Sequence, residues 1–279
     1  MQRRRQLRAF DLKQIAVCEN LIGIDEAGRG AFAGPVVAAA VLVTREFLES
    51  AWARKHAGRI NDSKQLTAAA REEIYAGMDK LALAGLLHAS HGAATVDEIE
   101  QHNILGATKL AMRRALQEIY PASAIPRVRA AHEPELFPDA GMEGDEMLET
   151  VNSVGEAASP PAAARSQQIS CRILVDGLPL KNFPYPHTAI VQGDARSLCV
   201  AMATIVAKVT RDRMMTALDA VCPGYDFSRH KGYGTGGHRD ALLRLGASPQ
   251  HRKGFLRKLL DARVDPAQID FLVEERPCA

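Results

Sequence analysis

The stretch LIGIDEAGRGAFAGPVVAAAVLV, from Leu21 to Val43, decides the fold. Leu21–Asp25 is a short apolar run ending in an acid, and Val36–Val43 is a second run with Pro35 at its mouth. The Gly-rich segment between them is of hairpin type, which predicts two antiparallel strands. Working outward, Leu81–Ser90 is a candidate third strand, and Cys171–Val175 and Thr188–Val191 are two more apolar β-like runs. Asn61-Asp62-Ser63 reads as a turn leading to a helix, with Thr67 as N-cap. Val96–Ile119 has apolar residues near helical spacing with a break at His102-Asn103, and Leu198–Val221 reads as one long helix. Another helix is expected near Arg239–Leu245, ahead of the basic stretch HRKGFLRKLL. Together these predict an α/β domain: a mixed five-stranded sheet flanked by helices, with a helical C-terminal part.

A chain of 279 residues can bury a substantial core. Its 47% hydrophobic and 24% charged residues exclude a wholly disordered protein, a collagen-like fibre and a disulfide knot. No apolar run reaches the roughly 18 residues of a membrane span. The basic start MQRRRQLRAF runs into DLKQ rather than an apolar signal core, so a cytoplasmic protein is expected. Five cysteines (Cys18, Cys171, Cys199, Cys222, Cys278) are scattered without CxxC spacing, which predicts free thiols rather than a zinc site.

Net charge is +2, but it is unevenly spread. Residues 121–169 hold eight acids against three arginines, a local charge of −5 that leaves +7 on the rest. That stretch is rich in Pro, Ala, Gly, Ser and Glu. It reads as a flexible insertion, with room for a short helix around Gly144–Val151, that loops away from the remaining body. The basic remainder suits a polyanion partner and equally an ordinary enzyme.

Four carboxylates stand out by position. Asp25 and Glu26 end the first apolar run, Asp176 ends the fourth and Asp194 follows the fifth. Active groups of α/β sheets gather at the carboxyl ends of strands. Adjacent strand residues point to opposite faces, so a site shared by Asp25 and Glu26 requires the chain to be turning at Glu26. Clustered carboxylates raise one another's pKa values and call for a compensating cation. Oxygen-only ligands suit Mg²⁺ or Mn²⁺, and a pair of such ions suits phosphodiester hydrolysis. Spacing alone leaves a turn former or helix cap open for each acid. Gly23 and Gly28 have phosphate-loop spacing, yet Arg29-Gly30 stands where Lys-Ser/Thr is needed, which excludes a nucleotide-triphosphatase.

The strings GIDEAGRGAFAGPVVAAAV, NDSKQL, EIEQHNILGATKLAMRRAL, ILVDG, GDA before ATIVAKVTRD, FSRHKGYGT and GASPQHRKGF occur in that order and cover most of Leu21–Phe255 outside the insertion. In these the chain resembles the ribonuclease HII family. The resemblance implies the ribonuclease H-like fold and endonucleolytic cleavage of RNA within RNA–DNA hybrids. It extends to single ribonucleotides embedded in duplex DNA, cut on their 5′ side to leave 5′-phosphate and 3′-hydroxyl ends. It implies that Asp25, Glu26, Asp176 and Asp194 are the catalytic, metal-binding tetrad. Substrate contacts implied by the resemblance are Gly28, Arg29, Gly30, Asn61, Ser63, Lys64 and Tyr233, with the tyrosine packing on the sugar at the RNA-to-DNA junction. Glycines let backbone approach a 2′-hydroxyl, and a guanidinium fork suits phosphate. Lys208, Arg211, His230, Lys231, His251, Arg252 and Lys253 are further candidates for nucleic-acid backbone contact.

Departures from the family pattern are Ala31 for a usual Pro, Asp226 for a usual glycine, Thr204 for serine and Gln192 for a common lysine. None removes a metal ligand. The expected organisation is an N-terminal extension (residues 1–20), a catalytic domain (21–263) interrupted at about 121–169, and a C-terminal tail (264–279), acting as a monomer without a membrane. Two other readings remain: a module of the same fold that binds hybrid duplexes without cutting, and a different nuclease of that fold.

Overall fold

The structure is a computed structural model that describes residues 6–60, 66–120 and 171–260. These all belong to one of the chain's two units, Met1–Ile125 with Ile169–Ala279; the other, Pro126–Gln168, lies outside the described residues. The acidic insertion, the Gly144–Val151 helix and the 264–279 tail therefore lie outside the description.

Strands β1 (Asn20–Ala27) and β2 (Val36–Thr44) pair antiparallel from Asn20–Thr44 to Ala27–Val37. Strand β3 (Leu87–Ala94) pairs antiparallel with β2, while β4 (Cys171–Asp176) and β5 (Thr188–Ile190) run parallel to β1. The order is β3-β2-β1-β4-β5, the mixed five-stranded sheet expected.

Side-chain alternation divides the core between the two faces of this sheet. Leu21, Val41, Val43, Leu174 and Ile190 face a cluster with Leu198, Met202, Ile205 and Val209 of α6 (Leu198–Val221). Ile22, Ile24, Ala38, Ala40, Ile173 and Val175 face the opposite cluster with Ile99, Ala107, Ala111, Met112 and Leu116 of α5 (Val96–Ile119). Both faces are covered, which is why β1 and β2 read as near-continuous apolar runs. Each fully buried Ile, Leu or Val contributes about 1.5–3 kcal/mol.

On the α6 side lie α1 (Gln6–Gln14), α2 (Arg45–Glu49), α3 (Ala51–Ile60) and α4 (Ala68–Leu83). Leu7 of α1 is fully buried in that core, and Asp11 Oδ2 accepts from the Cys199 amide at 2.8 Å. Beyond α6, the short helices α7 (Phe227–His230) and α8 (Gly236–Leu245) and then α9 (Lys253–Leu260) complete the C-terminal part. Here Ala33, Met215, Tyr225, Phe227, Leu242 and Leu256 form a third cluster.

Caps explain the helix starts. Thr67 Oγ1 accepts from the Ala70 amide at 3.2 Å, and Thr95 with Glu98 forms a reciprocal capping box at the start of α5. The break in α5 falls at Asn103, whose φ of 57° is non-helical and whose side chain caps the Leu105 and Gly106 amides.

Three expectations are corrected. The third strand spans Leu87–Ala94, not Leu81–Ser90, because α4 continues to Leu83 with Leu81 and Ala82 packed on the core. Strand β1 does not turn at Glu26; it stays paired with β2 through Ala27. Cys18, Cys171 and Cys199 are free, but Cys222 is disulfide-bonded. Tertiary proximity decides that pairing, and sequence spacing carries no trace of it.

Candidate active site

Pairing of Ile24 with Val175 sets Asp25 and Asp176 side by side at the carboxyl edge of two parallel strands. Asp25 is 6% exposed, and its carboxylate accepts from Thr204 Oγ1 at 2.5 Å and the Glu26 amide at 2.7 Å. Asp176 Oδ1 accepts from the Gly193 amide at 2.6 Å, which brings the 3₁₀ turn Gly193–Ala195 against the end of β4. Asp194 follows directly in that turn and is buried.

Burial, then the negative charges of Glu26 and Asp176, push the Asp25 carboxyl well above the usual carboxylate range; its bond from Thr204 acts the other way. Burial also raises Glu26, and Asp176 adds to that, against an opposing Arg29 whose Nη1 lies 2.8 Å from Glu26 Oε1. Three carboxylates thus share one field. Alternation sends Asp25 and Glu26 to opposite faces, yet both feel Asp176. Beyond Asp25 the β1 strand has no β4 neighbour to separate the faces.

Glu26 lines a cleft of about 510 Å³ together with Gly28, Arg29, Gly30, Arg71, Thr204, Lys208 and Tyr233. The sequence-expected Gly-Arg-Gly bend and tyrosine therefore face one cavity. Asp25, Asp176 and Asp194 are not among its lining residues, though Asp25 is bonded to Thr204, which is. Of the two glycines, Gly28 is the one its surroundings require. Gly28 has a φ of +94°, and a Cβ there would lie 2.0 Å from Arg211 Nε. A Cβ on Gly30 would meet nothing within 4 Å, so the protein leaves that space open.

Asn61, Ser63 and Lys64 lie outside the described residues. Among the basic candidates, Arg211, Arg252 and His251 are at most 2% exposed and are not available to a phosphate backbone. Arg252 instead donates to the carbonyls of Gly28, Arg29 and Gly34, and Arg211 to those of Ala33, Pro35 and Lys231. These two guanidiniums mould the loop between β1 and β2 from inside. Arg71, absent from the sequence reading, lines the cleft from α4 and lies 3.9 Å from Asp212. Helical position alone carries no signal for it. Asp226 adopts a left-handed φ of 60°, which Asp tolerates better than most residues.

The donor chemistry fits a hard divalent cation: carboxylate oxygens, of which those of Asp25 and Glu26 are raised in pKa by burial first and by neighbouring negative charge second. Among the described residues no group of three or more His, Cys, Asp or Glu is already arranged to hold a metal ion. No described helix is long and apolar enough to cross a membrane.

A family model described as ribonuclease HII matches residues 22–167 and 166–259. The ribonuclease HII of Fusobacterium nucleatum is 39% identical over 245 residues, covering 87% of this chain and 88% of that protein. That of Chloroflexus aurantiacus is 38% identical over 236 residues, covering 85% and 86%. Among solved structures, the ribonuclease H2 of Pyrococcus horikoshii aligns with a TM-score of 0.51 at 20% identity over 87% of this chain and 98% of that one. The ribonuclease HII in a complex with PCNA from Archaeoglobus fulgidus aligns with a TM-score of 0.51 at 19% identity, over 80% and 85%. Those two likenesses concern the fold. With both matched segments spanning sheet, bend and C-terminal loop, and full-length relatives well above 30% identity, the chain belongs to the ribonuclease HII family.

Proposed function

We propose that this protein is an endonuclease that hydrolyses the RNA strand of RNA–DNA hybrids and cuts on the 5′ side of single ribonucleotides embedded in duplex DNA, leaving 5′-phosphate and 3′-hydroxyl ends. The observation that carries this reading is the shared field of Asp25, Glu26 and Asp176 beside a cleft that also holds Gly28–Gly30 and Tyr233. Asp25, Glu26, Asp176 and Asp194 would hold two Mg²⁺ or Mn²⁺ ions. When bound, these supply an activated water and charge stabilisation for the leaving oxygen.

The chain's own groups do the rest. Thr204 holds the Asp25 carboxylate in one orientation. Arg29, half exposed and paired with Glu26, would exchange that partner for a phosphate when substrate enters. Gly30 leaves room for backbone to approach a 2′-hydroxyl, the one group that separates RNA from DNA here. Tyr233 offers a ring face towards a sugar, with Lys208 and Arg211 5.4 and 5.2 Å from its centroid. Asn61, Ser63 and Lys64 are assigned to the same substrate. Residues 21–263 form the catalytic domain in this reading, interrupted at about 121–169, and the active form is a monomer.

The test is a DNA duplex carrying one ribonucleotide, incubated with Mg²⁺ or Mn²⁺ beside an all-DNA control. Cutting of the first alone is expected. Binding without cutting would indicate a hybrid-binding module, and cutting of both a different nuclease of this fold.

A further inference from the structure

Linked to Tyr233 is a group of three imidazoles, two of them buried and the third, His230, half-buried, that the mechanism above does not use. His238 is fully buried and His251 is 2% exposed; their Nε2 atoms are 3.0 Å apart. His230 stacks on His238 with ring centroids 4.3 Å apart, and Phe227 meets His238 edge-on.

The bonding partners determine which nitrogen carries each proton. The Ser248 amide can only donate, and it lies 2.9 Å from His251 Nδ1, so that nitrogen accepts. His251 therefore carries its proton on Nε2 and donates it to His238 Nε2. His238 then carries its proton on Nδ1, which lies 3.0 Å from the backbone carbonyl oxygen of Tyr233 and donates to it. His230 is fixed likewise: Nδ1 accepts from the Gly232 amide at 3.2 Å, and Nε2 donates to the Tyr225 carbonyl at 2.6 Å. Every bond in the series Ser248, His251, His238, Tyr233 points the same way. A proton added to His238 would go onto Nε2 and face the His251 Nε2–H across 3.0 Å, and one added to His251 would go onto Nδ1 and face the Ser248 amide N–H across 2.9 Å.

We propose that His251 and His238 are positioning residues: a one-directional pair of neutral imidazoles that holds the Tyr233 carbonyl and so sets how the Tyr233 ring is presented in the cleft. This deepens the reading of Tyr233 as a sugar contact and rests on it. Burial pushes the pKa of His238 down to about 4 and of His251 down to about 3, which keeps both rings neutral wherever the enzyme works. The link has no slack, because Tyr233 sits between two other fixed points. The Phe32 amide donates to the Gly232 carbonyl at 2.8 Å, and the Thr235 amide donates to the Tyr233 carbonyl at 2.7 Å.

Imidazole ¹⁵N resonances of the intact protein test the relay without reference to activity. The expected result is the Nδ1–H form of His238 and the Nε2–H form of His251, unchanged from pH 5.5 to 8. The opposite form on either ring, or a cation in that range, overturns it. A second arm uses the single-ribonucleotide duplex. An Asn amide nitrogen occupies the place of Nδ1 and a Gln amide that of Nε2. His238→Gln is therefore expected to lower kcat/KM roughly tenfold, while His238→Asn stays within about threefold of wild type. Equal losses in the two variants overturn the positioning role. Tyr233→Ala separates the layers: wild-type cutting by that variant removes the sugar-contact reading, and the imidazole resonances then decide the relay alone.

Discussion

Thr204 Oγ1 donates to Asp25 Oδ2 across 2.5 Å, tying the second turn of α6 to the carboxyl end of β1. Asp25 is buried among like charges, so each donor it keeps lowers the free energy of its ionised form. Serine would keep the same hydroxyl, and valine would keep the shape without it. Thr204→Ser is expected to cut within about threefold of wild type. Thr204→Val loses the donor and should reduce kcat/KM at least tenfold, with the acid limb of the pH–rate profile moved upward. Equal activity of the two variants would show that the hydroxyl is idle.

Asp176→Asn keeps an oxygen for the Gly193 amide but removes one charge from the shared field. The expected outcome is a native fold, thermal stability at or above that of wild type, and turnover reduced more than a hundredfold. Near-normal rates, measured on the ribonucleotide-containing duplex, would remove Asp176 from the ligand set.

Arg252 donates to three backbone carbonyls from a fully buried position. Charge-assisted bonds of this kind contribute about 1.5–3 kcal/mol each, though not additively. Arg252→Met should destabilise the protein by about 3 kcal/mol or more, read by chemical denaturation. Arg252→Lys should rescue little, because one ammonium cannot reproduce a planar fork spanning Gly28, Arg29 and Gly34. Full stability of the lysine variant would contradict this.

Asp11 of α1 is fully buried against the start of α6, and among the described residues its Oδ1 has no hydrogen-bond partner. Burial raises its pKa from 3.8 to about 7. The folded state holds this proton more tightly than the unfolded chain does. The group therefore destabilises the fold progressively as pH rises from about 4 to 7, and fully above 7. Asp11→Asn should match wild type near pH 4 and exceed it at pH 8 by roughly 2–4 kcal/mol. Unfolding midpoints at the two pH values check the sign; a gain confined to acid would reverse the argument.

Local signals made much of this legible. The helix spanning Leu198–Val221 and the hairpin from Leu21 to Val43 follow from apolar periodicity and a Gly-rich turn. The Thr67 cap and the Asn103 break follow from side-chain chemistry within a few residues. The boundary between α4 and β3 was not legible, because LALAGLL suits either state until packing of Leu81 and Ala82 extends the helix.

The sequence by itself determined the order of the five strands and of α4, α5, α6 and α8 along the chain, the sheet class, and the family, since those reside in periodicity and in strings that need no third dimension; α1, α2, α3 and α7 carried no such signal. Tertiary structure alone decided that Arg211, Arg252 and His251 face inward, that Cys222 is bridged, and that Asp25, Glu26 and Asp176 feel one another. The physical reason is distance along the chain. Gly28 and Arg252, or Asp25 and Thr204, meet only because a sheet and a helix converge. Burial, which converts a basic residue from a phosphate contact into a scaffold, is a property of that convergence and not of any local stretch.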